Sequence, residues 1–392
     1  MTTITVDIAV IGGGVVGAGI AYHLATAGAS VALVEQEGPV SRSATWNSAG
    51  QIRLHHSDLA DARLAALAFD TFENWADVIG GDVGFRRTGF AFLVGEQHTG
   101  LLDDNVKLLA RLGVDTTVLS PAEFATAHPG LNLQDVAVVA YEPRSGYADP
   151  ARAARTLTDR AREHGAVVLK GAGGGRLRHS GGRVVGVDVG PTAVSAGEVV
   201  LAAGAWSGEV LARSGLPLVL PLRTRRVGLV TADGTDLLAR PSLPMVIDDL
   251  TGTYFRPHLD DLVLFGVPLD SWDPAPEDAN KPPEREREAT ARALIDRRLP
   301  GLAGAVRRTA VAAADGYTPD RRALIGPSSQ VPGLYLATGF NGGGFKVAPS
   351  VGAAVAAELT GAGGRPELAP YRPDRFAAGR PVPAEPLRYL TM

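Results

Sequence analysis

The sequence predicts an α/β fold in which one domain is assembled from separated segments and an α+β domain, built on an antiparallel sheet, is inserted between them. Three observations predict it: the chain opens with a strand-helix-strand pattern, its middle is rich in strands and tight turns, and α/β-like segments return near the C-terminus. The 392 residues also exceed the length at which one hydrophobic core usually stops growing, which favours two or more domains.

The opening segment "VDIAVIGGGVVGAGIAYHLATAGASVALVEQ" predicts one βαβ unit. Its β-branched residues predict a strand over 8–11, a glycine turn leads into a helix over 15–27, and a second strand follows over 31–35. Helical periodicity returns in "DLADARLAALAFDTFENWADVIG", and "FRRTGFAFLVG" predicts a pair of strands. The chain therefore begins as a parallel α/β sheet.

The later elements alternate in character. A helix is predicted from Pro150 to Gly165, because proline favours the first turn of a helix and glycine follows the last. "EVVLAAGAWS" predicts a buried strand that enters a glycine turn, and "LPLRTRRVGLV" and "TYFRPHLDDLVLFGVP" predict a strand-rich middle. A charged helix, flanked by prolines, is predicted within 282–300.

Composition argues against several classes of function. The formal net charge of −4 gives no electrostatic footprint for nucleic acid or for an anionic membrane. The absence of cysteine excludes disulfides, cysteine-ligated zinc and thiol catalysis, and the aspartate-rich pieces lack calcium-loop spacing, so we expect no metal site. No apolar run reaches about 18 residues and the chain opens without a signal-like segment, from which we expect a cytoplasmic protein without membrane insertion.

A glycine motif lies between the first strand and the first helix. Gly12, Gly14 and Gly17 form G-x-G-x-x-G, which supplies a tight turn, close backbone approach for a pyrophosphate, and close packing of helix on strand. Glu35 ends the second strand at the spacing where a carboxylate accepts hydrogen bonds from ribose hydroxyls. The motif predicts a dinucleotide site, and the acid disfavours a 2′-phosphate.

A second glycine loop, "ATGFNGGGFKVAP" at 337–349, lies near the other end of the chain and leads to Lys346. The stretch after the first βαβ unit, "GPVSRSATWNSAGQIRLHHSD", is polar and rich in turns, whereas a simple nicotinamide dehydrogenase would continue with further βαβ units. These features alone therefore do not decide whether the bound dinucleotide is NAD or FAD.

The chain resembles the FAD-dependent amine and amino-acid oxidoreductases of the D-amino-acid oxidase superfamily, especially the sarcosine oxidase, glycine oxidase and dimethylglycine dehydrogenase branch. The resemblance is carried, in order, by "IGGGVVGAGIAYHLATAGASVALVE", "SATWNSAGQIR", "FRRTGFAFLV", "SGYADPARAARTL", "VVLAAGAWS" and "TPDRRALIGPSSQVPGLYLATGFNGGGFKVAPSVGAAVAAEL". It implies an FAD-binding Rossmann-like domain formed by 1–80, 145–222 and 310–392, and a substrate-binding domain formed by 81–144 and 223–309.

The resemblance and the two glycine loops together assign the cofactor site. The residues expected to contact FAD are Gly12, Gly14, Val15, Val16, Gly17, Glu35, Gln36, Ser43, Ala44, Thr45, Asn47, Ser48, Ala49, Gly50, Gln51, Ala203, Gly204, Trp206, Gly339, Asn341, Gly342, Gly343, Gly344, Phe345 and Lys346. The family attaches FAD covalently through a histidine where this chain has Asn47, or through a cysteine where it reads Ala312 to Ala314. We therefore expect FAD to be bound non-covalently.

The resemblance also implies catalytic roles. Arg53 and Lys346 match a pair that fixes the substrate carboxylate, which would direct the adjacent C–H toward the flavin N5. Arg256 is a second candidate for the carboxylate, although an ordinary arginine at a strand end is an equal alternative. Tyr254 is a candidate cavity wall or simply a packed strand residue, and His55 a candidate proton acceptor or simply a polar loop residue.

The predicted reaction is FAD-dependent oxidation of the C–N bond of an amino acid, or of an N-substituted secondary or cyclic amino acid, by hydride transfer to flavin N5 to give an imine. The electron acceptor is O2 or another molecule, and apolar Leu264 stands where single-chain sarcosine oxidases carry a lysine that promotes reaction with O2. The alternatives are a 2-hydroxy-acid dehydrogenase and a flavin-holding subunit of a larger amine-oxidising complex. An oligomer, or partner subunits, would be compatible with each of these functions.

Overall fold

The computed structural model describes residues 2–36, 43–171, 174–234, 243–259, 261–269, 271–275 and 278–381. The strands are β1 (Thr2–Ile11), β2 (Val31–Glu35), β3 (Gln51–Ile52), β4 (Arg86–Arg87), β5 (Phe90–Val94), β6 (Thr117–Leu119), β7 (Val138–Glu142), β8 (Gly146–Tyr147), β9 (Val167–Lys170), β10 (Arg176–Ser180), β11 (Arg183–Val189), β12 (Thr192–Leu201), β13 (Arg223–Asp233), β14 (Met245–Asp248), β15 (Thr253–His258), β16 (Leu262–Val267), β17 (Arg307–Tyr317), β18 (Leu324–Pro327) and β19 (Leu334–Thr338).

The α-helices are α1 (Val15–Thr26), α2 (Leu59–Glu73), α3 (Trp75–Val78), α4 (Thr99–Ala110), α5 (Pro121–Ala127), α6 (Pro150–Glu163), α7 (Ser207–Arg213), α8 (Arg285–Arg298) and α9 (Gly344–Leu359). Short 3₁₀ turns lie at Glu96–His98, Gly204–Trp206, Pro300–Leu302, Pro366–Tyr371 and Pro373–Arg375.

The first sheet is parallel over most of its width. Its order is β18-β19-β12-β1-β2-β9, and every neighbouring pair from β19 to β9 is parallel. The β10–β11 hairpin extends the sheet by pairing antiparallel with the first half of β12. Segments from the beginning, middle and end of the chain therefore join one sheet.

Two helices carry the glycine loops to the same edge of this sheet. The helix α1 follows β1 and α9 follows β19, and the two helices pack directly on each other. Their closest approach is between glycines, since a Cβ on Gly352 would lie 2.8 Å from the backbone of Gly19. Because helices that follow parallel strands begin at the carboxyl edge of the sheet, both N-termini lie at that edge.

The second sheet has the order β17-β13-β16-β15-β14-β5-β7-β6 and is antiparallel except between β5 and β14. It has its own buried cores, in which α8 packs against β15 and β16. A small third sheet, β3-β8-β4, places residue 53 directly after β3. The predicted combination of a Rossmann-like sheet and an antiparallel sheet is thus confirmed, whereas the domain boundaries at 81, 145, 223 and 310 stay predictions.

The elements predicted at the start of the chain lie where the sequence indicated, and the helix predicted within 282–300 is α8. The helical pattern of 58–80 is divided into α2 and α3 at Asn74, whose backbone leaves the helical conformation. None of the helices in the described part of the chain is both long and apolar enough to cross a membrane.

Candidate cofactor and substrate site

A cleft at the carboxyl edge of the first sheet, called here the dinucleotide cleft, extends from the first glycine loop to the second. Its lining includes Gly12, Gly14, Val15, Val16, Glu35, Gln36, Ser43, Ala44, Thr45, Ser48, Ala203, Gly204, Trp206, Gly342, Gly344 and Phe345, all of which the sequence indicated. The cleft also includes residues that the sequence did not single out, among them Arg213, Asp315 and Phe340.

The first glycine loop requires glycine for steric reasons. Gly12 has φ +108°, and a Cβ there would lie 2.4 Å from the carbonyl oxygen of Ala202. A Cβ on Gly17 would lie 1.9 Å from the carbonyl oxygen of Gly12. Gly17 therefore acts through packing of α1 against the turn, while Gly14 faces the cleft and leaves it open.

The N-terminus of α1 faces this cleft, and its own N-cap residue has no side chain that could cap it. Gly14 is the N-cap residue and the first turn contains no acidic residue. The N–H of Val15 donates to the Thr45 hydroxyl oxygen over 3.1 Å. The partial positive charge of such a terminus favours a bound anion, which suits a pyrophosphate.

Glu35 stands beside the turn at the end of β2. Its carboxylate accepts hydrogen bonds from the N–H of Gly13 and, over 2.8 Å, from the N–H of Gln36. These bonds fix the carboxylate at the wall of the cleft, where an adenosine ribose would present its hydroxyls.

The second glycine loop is shaped by positive φ angles, by its own Asn341 side chain and by Asp315 of β17. Gly339, Asn341 and Gly342 have φ of +71°, +53° and +80°. The Asn341 side chain accepts from the N–H of Thr318 over 2.9 Å and donates to the carbonyl of Gly339 over 2.6 Å. The N–H of Gly342 donates to Asp315 over 2.8 Å. The loop is thereby held open, with α9 beginning at Gly344 and no side-chain cap.

A second cavity, called here the inter-sheet cavity, adjoins the cleft between loop 47–51 and the strands β13, β16 and β17. Of the predicted cofactor residues, Asn47, Ala49, Gly50, Gln51 and Lys346 line it, and Ala44, Ser48, Gly342 and Phe345 line both spaces. Its other walls include Arg225, Tyr254, Ala313, Asp315 and Tyr317. Gly343 lines a third cavity, together with Arg53 and Lys346.

Arg53 and Lys346 meet in a small cavity lined also by Gln51, Asp61 and Tyr371, called here the Arg53 cavity. Both cations are buried, at 3% and 7% exposure. Burial first, and the Arg53 charge second, lower the pKa of Lys346 to about 7. Burial also lowers the pKa of Arg53 to about 10, so the guanidinium stays charged at neutral pH. Two buried positive groups therefore converge beside the second glycine loop.

Acidic groups offset part of this charge. Glu142 is buried near Arg53 and accepts from the N–H of Leu54 over 3.0 Å and from the Ser145 hydroxyl over 2.7 Å. Asp61 accepts from the Tyr371 hydroxyl over 2.6 Å. Burial raises the pKa of Glu142, although those hydrogen bonds and the Arg53 charge oppose the rise. An anionic ligand in this cavity would therefore meet Arg53 and Lys346, whose positive charge the acidic groups offset only in part.

His55, the predicted candidate proton acceptor, lies in the interior rather than on a described cavity wall. Its Nε2 is 3.0 Å from the Asn105 amide nitrogen, and its ring packs against Phe92. Burial, and then the charge of Arg53, lower the pKa of His55 to about 3. The backbone carbonyl of His55 accepts a hydrogen bond from Arg53, so this residue orients the guanidinium through its main chain.

Arg256 and Tyr254 share β15 but face different spaces. Arg256 lines a cavity on the far side of loop 47–49, donates to the carbonyls of Ala49 and Pro257, and lies 4.0 Å from the ring centre of Tyr147. Tyr254 lines the inter-sheet cavity, where its ring covers Gly266. The structure therefore brings Tyr254, but not Arg256, into the same space as Lys346.

A helix N-terminus, a fixed acid and two glycine-rich loops along one cleft define a dinucleotide-binding protein of the Rossmann type. The family model for FAD-dependent oxidoreductases of the D-amino-acid oxidase (DAO) group matches residues 7–358, and the chain belongs to that family. FAD is therefore its cofactor, and the open glycine loops fit it: a Cβ at Gly12 would clash with the backbone, and Gly14 and Gly344 leave the cleft wall bare.

Three similar proteins illustrate the family. The chain is 28% identical to 4-methylaminobutanoate oxidase (formaldehyde-forming) of Paenarthrobacter nicotinovorans over 88% of its own length and 42% of that protein. It is 27% identical to human mitochondrial sarcosine dehydrogenase, over 93% of its length and 40% of that protein. Its structure superposes on that of L-proline dehydrogenase from P. horikoshii with a TM-score of 0.86 and 26% identity, covering 97% and 99% of the two chains.

The chain thus spans about two fifths of the length of these two curated relatives. It spans nearly the whole of the proline dehydrogenase chain.

Proposed function

We propose that this protein oxidises the C–N bond of an amino acid, or of a secondary or cyclic N-substituted amino acid, with FAD as the hydride acceptor. The observation that carries the proposal is the pair of buried cations, Arg53 and Lys346, beside the second glycine loop. A carboxylate is the ligand that a guanidinium and an ammonium bind together with charge-assisted hydrogen bonds. A substrate anchored there would be held next to the FAD site.

The residues of the chain supply orientation rather than the redox chemistry. FAD accepts the two electrons and the hydride when it is bound. Arg53 and Lys346 would bind the substrate carboxylate, Tyr254 and Tyr317 would wall the inter-sheet cavity, and Gly342 would leave the loop open to the ring system. The carboxylate anchor fixes which C–H bond is presented, which is how binding lowers the barrier to transfer.

The comparisons support amines as the substrate class. Proteins named for oxidation of a methylamino acid, of sarcosine and of proline all resemble this chain, and all three substrates carry a secondary amine and a carboxylate. The near full-length match to the proline dehydrogenase supports a substrate of that small size. A 2-hydroxy-acid dehydrogenase and a flavin-holding subunit remain the alternatives that the experiment below must separate.

Non-covalent binding of FAD is part of the proposal. Ala313 and Ala314 line the inter-sheet cavity and the dinucleotide cleft, respectively, and Asn47 lines the inter-sheet cavity. Neither alanine nor asparagine offers a nucleophile for attachment to the flavin. We expect acid precipitation of the protein to release all flavin to the supernatant, and retention of flavin on the precipitate would contradict this part.

The electron acceptor is proposed to be a molecule other than O2. Leu264 is buried and apolar, at 5% exposure, and faces the cavity that contains Arg256. This position therefore lacks the lysine that single-chain sarcosine oxidases carry there to promote the reaction with O2, and Arg256, which lines the same cavity, is held by the carbonyls of Ala49 and Pro257. We expect reoxidation by an artificial dye to exceed reoxidation by O2, and rapid peroxide formation would contradict the expectation.

The test of function is anaerobic bleaching of the bound flavin across a matched panel of N-methyl amino acids, cyclic imino acids and 2-hydroxy acids. We expect secondary amines to bleach the flavin and their hydroxy counterparts to leave it oxidised. Bleaching by hydroxy acids alone would establish the dehydrogenase alternative. Bound flavin that no compound bleaches, together with co-purifying subunits, would establish the scaffold alternative.

A further inference from the structure

Asp315 stands at the junction of the dinucleotide cleft and the inter-sheet cavity and lines both. One carboxylate oxygen accepts from the N–H of Gly316 over 2.7 Å and the other from the N–H of Gly342 over 2.8 Å. Because a carboxylate offers about four acceptor positions, each oxygen keeps one for another donor. The group is fixed in place and its hydrogen-bonding capacity is incompletely used.

Asp315 also has no cationic side chain in contact with it. Within the described ranges, no lysine, arginine or histidine nitrogen lies within 4.0 Å of its carboxylate. Its cross-strand neighbour Arg225 turns away, toward the rings of Trp272 and Tyr317 at 5.5 and 5.8 Å. Among the described residues, the partly buried carboxylate of Asp315 therefore has no cation in contact with it.

A positive group that acts on Asp315 lies on another wall of the same cavity. Lys346 lines the inter-sheet cavity with Asp315, and its charge opposes the rise in the pKa of Asp315 that burial causes. The two groups interact electrostatically without forming a salt bridge. An anion and a cation that face one cavity without contact form a complementary pair for a small zwitterion.

We propose that Asp315 binds the ammonium group of the substrate while Lys346, together with Arg53, binds its carboxylate, so that the site selects zwitterionic amino acids over 2-hydroxy acids. This inference rests on the proposed function and names a specificity determinant for it. The aromatic rings of Tyr254 and Tyr317 line the same cavity and would add cation–π attraction. A hydroxy acid would leave the carboxylate of Asp315 desolvated without a charged partner.

The test measures binding rather than turnover. Two isosteric pairs, N-methylglycine with methoxyacetate and L-proline with tetrahydrofuran-2-carboxylate, differ only by a secondary ammonium in place of an ether oxygen. Dissociation constants for the holoenzyme would be read anaerobically, from the change in the oxidised flavin spectrum before any reduction. The ratio of the ether constant to the amine constant reports recognition of the ammonium group.

We expect the wild-type protein to prefer at least one amine over its ether by roughly tenfold or more, as a charge-assisted hydrogen bond implies. Asp315→Asn should reduce that ratio to about one while changing ether binding little. Asp233→Asn, which removes a carboxylate from an exposed pair with Arg308 at the end of β13, is the matched control and should keep the wild-type ratio.

Three results would overturn the inference: equal binding of amine and ether by the wild type, binding of neither amine, or an Asp315→Asn variant that retains the preference. A shift in the flavin spectrum of that variant without a change in the ratio would assign Asp315 to the cofactor instead. If Asp315→Asn fails to hold flavin, the ratio of ether to amine dissociation constants is measured for Asp315→Ser and compared with the wild-type ratio, and the same outcomes apply. Ammonium preference without bleaching by any amine would refute the proposed function and leave only the ammonium-binding role of Asp315 standing.

Discussion

The two glycine loops lie at one edge of one sheet but are built differently. The first, at Gly12 to Gly17, depends on backbone groups, a helix N-terminus and close packing. The second, at Gly339 to Gly344, is surrounded by charged side chains: Arg53 and Asp315 come from distant segments, and Lys346 follows the loop directly. From this difference we propose that the first loop retains FAD and that the second positions the substrate.

The largest expected effect is the loss of flavin when a substitution distorts the first loop. Gly17→Ala would place a Cβ 1.9 Å from the carbonyl oxygen of Gly12, so the turn must move. We expect the purified variant to lose more than about nine tenths of its flavin, because a shift that costs over 1.4 kcal/mol lowers affinity more than tenfold. Gly208→Ala, in the first turn of α7 where nothing lies within 4 Å, should keep the wild-type flavin content. Equal flavin content in the two variants would contradict this explanation.

The second prediction breaks the second loop and spares the first. Lys346→Met removes one of the two cations and should raise KM for the substrate by roughly 10–100-fold, as loss of a charge-assisted hydrogen bond implies. Flavin content should not change. Lys107→Met, at an exposed position of α4, is the control and should leave KM as it is. A wild-type KM in Lys346→Met would exclude the lysine from substrate binding.

The sequence predicts more about the first loop than about the second, because the first is built from neighbouring residues and the second from distant ones. Gly12, Gly14, Gly17 and Glu35 lie within one βαβ unit, so local spacing sufficed to predict that they surround one turn. Asp315 reaches the site from the end of β17, and nothing in its neighbouring residues indicates that Gly342, 27 positions away, donates to it.

Burial was the other property that the sequence could not supply. His55 follows Arg53 by two residues, yet its side chain packs on Phe92 in the interior. Tyr254 and Arg256 share one strand and the same alternation, yet loop 47–49 separates the cavities that they line. Such differences arise from tertiary packing rather than from periodicity.

The pH dependence of substrate affinity sharpens the comparison, because Lys346, which lies beside the second loop, titrates near neutrality. The pKa of Lys346, lowered to about 7 by burial and by Arg53, means that the amine is charged below pH 7 and neutral above it. Affinity for the substrate carboxylate should therefore be full below pH 7 and fall as pH rises, by up to about tenfold per pH unit. Lys346→Arg should flatten the KM profile, and an unchanged slope would contradict the assignment.

The smallest expected effect concerns the support of the Arg53 cavity. Tyr371→Phe removes the hydroxyl that donates to Asp61 and should cost about 1 kcal/mol of stability and raise KM about two- to threefold. Tyr335→Phe removes a similar bond to Glu358, remote from the cleft, and should lower stability without changing KM. Urea unfolding measures the loss of stability and steady-state kinetics measure KM. The same KM for Tyr371→Phe and Tyr335→Phe would show that the hydrogen bond from Tyr371 to Asp61 does not support substrate binding.

The central claim is that one loop retains FAD and the other positions the substrate. The visible absorbance of three proteins, purified separately by the same procedure, tests it most directly. Wild type, Gly17→Ala and Lys346→Met would be recorded anaerobically before and after addition of a secondary amino acid. We predict a flavin spectrum that bleaches for the wild type, little flavin for Gly17→Ala, and a normal spectrum for Lys346→Met that resists bleaching at the same substrate concentration. Loss of flavin from Lys346→Met with normal bleaching of Gly17→Ala would contradict the claim.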